Sequence, residues 1–196
     1  MSLGVFLICI GVCRFFILNF VIEINSTIRS QNMFNIRKAT AADCELINSL
    51  ASQVWDATYG EILSTEQLDY MFDMMYAPQN ILKQMNEGHV YFIGYKEDKP
   101  CGYISIEQQK KDLFHLQKIY VLPSFQGCKA GKFLLTEAMK YIKEIHPEPC
   151  TMELNVNRQN KALHFYEHIG LKKVSEGDFP IGNGYYMNDY IMGIEL

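Results

Sequence analysis

A phosphate-sized opportunity stands out in this chain. The apolar stretch His115–Leu122 reads as a strand, and Pro123-Ser124-Phe125 closes it. Gln126-Gly127-Cys128-Lys129-Ala130-Gly131-Lys132 then opens a helix that runs toward His146. The first N–H groups of a helix have no partner inside it, and the helix dipole is positive at that end. Glycines and lysines at such a terminus suit a phosphate-rich ligand, which points to a nucleotide cofactor. On the strand just upstream, His115 and Gln117 are two residues apart and share a face. An unperturbed histidine titrates near about pH 6.5, which suits a proton acceptor, although a packing histidine is an equal reading. Cys128 lies in the turn itself, but no His or Asp is arranged near it in sequence, so it is not read as a nucleophile.

The elements that must position these groups follow from periodicity. Asn35–Ala39 alternates as a first strand. Thr40 or Asp43 can cap a helix through about Thr58, with Leu46, Ile47, Leu50, Val54 and Tyr59 on one face. Ser64-Thr65-Glu66-Gln67 has capping-box spacing and starts a helix to about Tyr76, and Pro78 opens a short one through Met85. His89–Tyr95 and Cys101–Glu107 form a hairpin across Lys96–Pro100, and a third strand covers about Asp112–Leu122. After the long helix, Thr151–Val156 is a strand, Asn160–His168 a short helix, and Leu171–Ser175 and Tyr185–Ile194 are the last strands. The strand-helix-strand unit from His115 to Val156 requires a right-handed parallel crossover, whereas the hairpin is antiparallel. The expected fold class is therefore mixed α/β, a central sheet with helices on both faces.

Composition narrows the function. The 196 residues suit one domain, and a 48% apolar content supports an ordinary core. A net charge of −4 gives no reason to expect nucleic acid or an anionic membrane surface. The six cysteines are scattered without a Cys-x-x-Cys pair or a companion His cluster. No metal site is expected, and reduced thiols in a cytoplasmic protein are the plainer reading. Leu3–Ile24 is strongly apolar and approaches the roughly 20 residues needed to span a bilayer, but Arg14 near its middle argues against an anchor. Residues 1–32 are read as an extension outside the folded unit, and 33–196 as the domain, with Met33 placed where a start could fall.

The order of elements, the Gln126–Gly131 turn, and Asn157-Arg158-Gln159-Asn160-Lys161-Ala162-Leu163-His164-Phe165-Tyr166 followed by Gly170-Leu171 resemble the GNAT superfamily of N-acetyltransferases. The family's Gln/Arg-x-x-Gly-x-Gly/Ala pattern falls on Gln126–Gly131, with Lys129 where the family has its middle glycine. The resemblance covers Met33–Leu196 and implies a GNAT-like fold, with a mostly antiparallel sheet and one splayed parallel strand pair. It implies acetyl-CoA as co-substrate and no metal. The backbone of Ile119, Tyr120 and Val121 would pair with the pantetheine arm. Amides from Gln126 through Gly127, Cys128, Lys129, Ala130, Gly131 and Lys132 would hold the pyrophosphate. Asn160 would bond the cofactor arm, and Tyr166 would lie near the thioester sulfur as the acid for the leaving thiolate. Helical spacing alone makes Tyr166 a core residue with its hydroxyl tied off. His115 is the candidate base, directly or through water. No covalent enzyme intermediate is needed, since both substrates can be held together.

Substrate recognition would fall to the first two helices. Trp55, Tyr59 and Tyr76, together with Gln117 on the strand and carboxylates such as Asp56, Glu61, Asp69 and Asp73, could hold a cation, and the plain alternative is an ordinary amphipathic helix pair. Met187–Met192 resembles the closing strand of bacterial polyamine acetyltransferases. The expected acceptor is a small primary amine, a polyamine first. The rivals are a protein N-terminus or lysine, and a non-catalytic acyl-CoA-binding regulatory module. A homodimer is the assembly that related folds suggest.

Overall fold

The computed structural model describes residues 34–196, so the reading of residues 1–32 as an extension lies outside the described residues. Strand β1 (Phe34–Lys38) leads through a single 3-10 turn (Ala41–Asp43) into helices α1 (Cys44–Tyr59), α2 (Thr65–Tyr76) and α3 (Pro78–Asn86). Then follow β2 (Val90–Lys96), β3 (Lys99–Lys110), β4 (Leu113–Val121), α4 (Ala130–Ile145), β5 (Thr151–Asn157), α5 (Leu163–Ile169), β6 (Lys172–Gly182) and β7 (Tyr185–Glu195). The helix starts are chemically marked. The Asp43 carboxylate accepts from the Thr40 N–H at 2.8 Å and from Arg37 at 2.6 Å, and Ser64 Oγ accepts from the Gln67 N–H at 3.3 Å. Pro78 occupies the first turn of α3, where no N–H is missed.

The seven strands form one sheet in the order β1-β2-β3-β4-β5-β7-β6, and β4–β5 is its parallel pair. Alternation along the strands feeds two cores. Tyr91, Ile93 and Tyr103 face α1, α2 and α3, where they meet Ile47, Leu50, Val54 and Met71. Ile104, Ile106, Phe114 and Leu116 face α4, where Leu134, Leu135, Ala138 and Ile142 are fully buried. Each fully buried Leu or Ile there contributes about 1.5–3 kcal/mol relative to an exposed one. Helices on both faces of a mixed sheet are what the sequence led us to expect.

Three boundaries differ from expectation. The strand expected to end at Ser175 runs on to Gly182 and pairs along its length with β7. The added stretch holds Gly177 and Pro180, and it lies on the edge strand, where proline's missing N–H is tolerated. The helix expected from Asn160 starts at Leu163, because Asn157 and Asn160 spend their side-chain oxygens on the N–H groups of Gln159 and Ala162 in the preceding turn, at 3.0 and 2.9 Å. The long helix begins at Ala130 rather than Gln126. Lys129 stands before it with φ 74°, a left-handed conformation, and so meets the backbone demand that the missing glycine of the turn created.

One irregularity sets up the site. Ser105 pairs with Lys118 and Ile106 with Leu116, so Gln117 is an extra residue in β4. A bulge of this kind breaks strict alternation. Gln117 and Lys118 both reach side chains on the α1–α3 face of the sheet, instead of pointing to opposite faces.

Candidate active site

The parallel strands β4 and β5 pair only at Leu113–His115 with Thr151–Glu153, and then separate. The gap opens into a cleft of about 670 Å³ between Leu116–Val121 on one wall and Leu154–Val156 on the other. Its far end is the turn before α4. Backbone hydrogen bonds there stop with the Gln126 N–H to Pro123 and resume with the Phe133 N–H to Lys129. Among the described residues the N–H groups from Gly127 to Lys132 have no backbone acceptors, and they lie beside the Lys129 and Lys132 side chains. Gly127 has φ 76°, which lets the turn curl so that successive N–H groups can converge.

The cleft brings together most of the residues singled out in the sequence. Tyr59, Gln117, Ile119, Tyr120, Val121, Gln126, Gly127, Lys129, Ala130, Gly131, Lys132, Asn160 and Tyr166 all line it. Asn160 spends its Oδ1 on the Ala162 N–H, which leaves its Nδ2–H free to donate. Cys128 does not line the cleft, and its thiol lies 2.8 Å from the Phe125 carbonyl oxygen. Trp55 and Tyr76 stand behind the wall. Trp55 donates from Nε1 to the Leu68 carbonyl at 3.1 Å and packs edge-on against Tyr76 at 5.3 Å. Their separation from the cleft follows from α1 and α2 using this face as core.

His115 is 8% exposed and sits at the closed end, opposite Glu153 in the last paired rung. It does not line the cleft. Burial pushes its imidazole below the ordinary value, against the opposing pull of Glu107. Gln117 Nε2 donates to Glu107 at 2.7 Å, and His89 Nε2 lies 3.9 Å from the same carboxylate. His115 and Gln117 thus gather around one carboxylate on one face of the sheet.

Tyr166 is 7% exposed on α5, and burial raises its pKa, so the phenol stays protonated at neutral pH. Among the described residues its hydroxyl has no hydrogen-bond acceptor, and it can donate into the cleft. On the opposite side, the Tyr59 and Tyr120 hydroxyls are 3.0 Å apart, both held protonated by burial. At the mouth, Glu61 and Lys161 form an exposed ion pair of 3.3 Å.

Sequence reasoning missed three groups. Lys118 is buried, with Nζ 2.8 Å from Gln84 Oε1 and 5.6 Å from the ring centres of both Tyr76 and Tyr91. Burial pushes its pKa down to about 8. Asn155 is exposed on the β5 wall, and Asp189 is buried behind it on β7. The bulge decides where Lys118 points, and the β5–β7 register decides where Asp189 points; neither is a local property of the sequence. Among the described residues no cluster of His, Cys, Asp or Glu could hold a metal, and no helix is long and apolar enough to cross a membrane.

Comparison with known proteins places this geometry. Residues 60–184 match the family model of the acetyltransferase (GNAT) domain. A spermidine N(1)-acetyltransferase of Thermoplasma acidophilum is 29% identical over 145 residues, covering 70% of this chain and 87% of that one. A ribosomal protein bS18-alanine N-acetyltransferase of Haemophilus influenzae is 28% identical over 151 residues, covering 76% and 99%. Among solved structures, PaiA N-acetyltransferase of Thermoplasma acidophilum in complex with coenzyme A superposes with a TM-score of 0.69 at 25% identity, over 84% of this chain and 99% of that one.

Proposed function

This chain belongs to the GNAT acetyltransferase family, and on that premise we propose that it moves the acetyl group of acetyl-CoA directly to a small primary amine, a polyamine first. It is an acyltransferase, and the finer question is what it acylates. The observation that carries the reading is the parting of β4 from β5 after His115 and Glu153, with unpaired N–H groups from Gly127 to Lys132 at the end of the resulting cleft. Those groups, with Lys129 and Lys132, bind the diphosphate of the co-substrate. The open edge of β4 at Ile119–Val121 takes the pantetheine arm as an added strand. Asn160 Nδ2 donates to that arm.

In the reaction the amine must be neutral when it attacks, the carbonyl oxygen must be stabilised as it gains charge, and the thiolate must be protonated as it leaves. Tyr166, protonated and facing the cleft, supplies the last proton. A β4 N–H at the level of Val121 stabilises the oxygen. The amine's proton passes through solvent to the His115–Glu107–His89 group, because His115 has no direct access to the cleft. The polyamine preference is supported by the 29% identical relative named as a spermidine acetyltransferase. A second reading, acetylation of a protein N-terminus, is favoured by the match to the ribosomal-protein alanine acetyltransferase along 99% of that chain. Acetyl-CoA consumption across polyamines, simple alkylamines and Ala-initiated peptides separates the two. Turnover confined to peptides overturns the small-amine reading, and binding without any turnover leaves only the regulatory module.

A further inference from the structure

A buried carboxylate behind the β5 wall has no role in the scheme above. Asp189 is 4% exposed, and among the described residues its Oδ1 has no hydrogen-bond partner. Among the described residues it forms no ion pair. The nearby Arg158 pairs through Nη2 with Asp178 at 3.1 Å and lies over the Tyr190 ring. Its charge favours the ionised form of Asp189, but among the described residues its buried Nε is left without a hydrogen-bond partner and makes no bond to the carboxylate. An unpaired buried carboxylate costs stability, and folds keep such groups where they have work to do. Among the described residues the one side-chain partner of Asp189 is Asn155, whose Nδ2 donates to Oδ2 at 3.2 Å. The two meet because Asn157 pairs with Asp189 and Asn155 with Ile191 across β5 and β7, which puts Asn155, Asn157 and Asp189 on one face. That face looks toward the end of α1, where the charge of Asp189 acts on the Tyr59 hydroxyl.

An ionised carboxylate only accepts hydrogen bonds, so Asn155 must give it the NH₂ end of its amide. The amide oxygen is thereby turned away from Asp189, and Asn155 is an exposed residue of the cleft wall. An amide free to flip would present donor and acceptor alike; one tied to a carboxylate presents an acceptor. We propose that Asn155 Oδ1 is the hydrogen-bond acceptor for the incoming amine and that Asp189 is the positioning residue that fixes it in that sense. This rests on the acetyl-transfer reading. An acceptor on the β5 wall holds one N–H of the amine and leaves its lone pair free to face the thioester carried along β4. The ligand class is a primary alkylamine, and the negative charge behind the amide also favours its approach as a cation.

The test is steady-state kinetics with spermidine and with propylamine, alongside calorimetry of acetyl-CoA binding. Asn155→Ala, at an exposed position, and Asp189→Asn are each expected to raise the amine KM by about tenfold or more, the size of one lost oriented hydrogen bond to a charged or polar partner. The acetyl-CoA Kd is expected to stay within about twofold, as a binding-site effect on one substrate requires. The double variant Asn155→Asp with Asp189→Asn reverses the bond direction but keeps an acceptor in the cleft, and it is expected to recover most of the amine KM. An unchanged amine KM in Asn155→Ala, parallel losses for both substrates, or a double variant no better than Asp189→Asn overturns the assignment. Should Asp189→Asn fail to fold, Asn155→Ala alone decides. A wild-type protein that binds acetyl-CoA and acetylates no amine overturns the proposed function itself, and this inference with it.

Discussion

The hydroxyls of Tyr59 and Tyr120 meet at 3.0 Å, tying the last residue of α1 to the open wall of β4. The contact closes one side of the cleft with a polar seam between two aromatic rings, and Tyr120 is itself stacked on Tyr103 at 5.5 Å. Tyr59→Phe keeps the ring and removes the seam. A loss of about 1 kcal/mol in denaturant unfolding is expected, with a larger change in amine KM than in acetyl-CoA KM if α1 borders the proposed amine site. Equal changes in both constants would mean that the seam serves the sheet rather than acceptor entry.

Tyr166→Phe removes the proposed acid while leaving the buried ring in place. A fall in kcat of about a hundredfold or more is expected, with acetyl-CoA affinity measured by calorimetry little changed. Since burial raises the Tyr166 pKa, the wild-type rate should show no basic limb from this group below the ordinary tyrosine range. A variant with wild-type kcat would remove Tyr166 from the chemistry.

Lys118 makes stability rise with alkalinity. Its folded pKa is about 8 against 10.5 when unfolded, so between those values the unfolded chain binds a proton that the folded chain does not. The charged form is therefore disfavoured in the fold below about pH 8, and the handicap disappears as pH rises through the window toward 10.5. Lys118→Met should stabilise the protein at pH 7, by on the order of 3 kcal/mol at most, and abolish this part of the pH slope. Thermal unfolding from pH 7 to 10 checks it, and an unchanged slope would show that Lys118 is not the group responsible.

Local chemistry was legible in the sequence, and long-range register was not. The Gln126–Lys132 turn, the amphipathic face of α4, the Thr40–Asp43 pair and the cap at Ser64 are each decided by neighbours a few residues apart, and they shape the end of the cleft proposed to take the phosphates and its flanking helices. Lys118 would face the opposite side of the sheet from Gln117 under plain alternation; the bulge against Ser105 and Ile106 changes that, and a bulge is a property of two strands. Asp189 reads in sequence only as part of a closing strand, because its pairing with Asn157 joins segments far apart in the chain. Trp55 and Tyr76 have the composition of a cation site, but the packing of α1 on α2 turns them into core.

Gly127→Val tests the turn. Gly127 has φ 76°, and nothing lies within 4 Å of the place a β-carbon would take, so the strain comes from the backbone and not from a clash. A β-branched residue resists that angle. The variant should weaken acetyl-CoA binding in calorimetry by about tenfold or more while the amine KM moves little, since straightening the turn scatters the N–H groups proposed to bind the diphosphate. Retained affinity would move the phosphate site elsewhere.

The central claim is acetyl transfer to a small amine in the cleft between β4 and β5. Mass spectrometry of spermidine incubated with the full chain and acetyl-CoA, with the released CoA thiol followed in parallel, addresses it most directly. The account predicts N-acetylspermidine formed in step with free thiol. Thiol release without acetylated amine, or bound coenzyme with neither product, would contradict it.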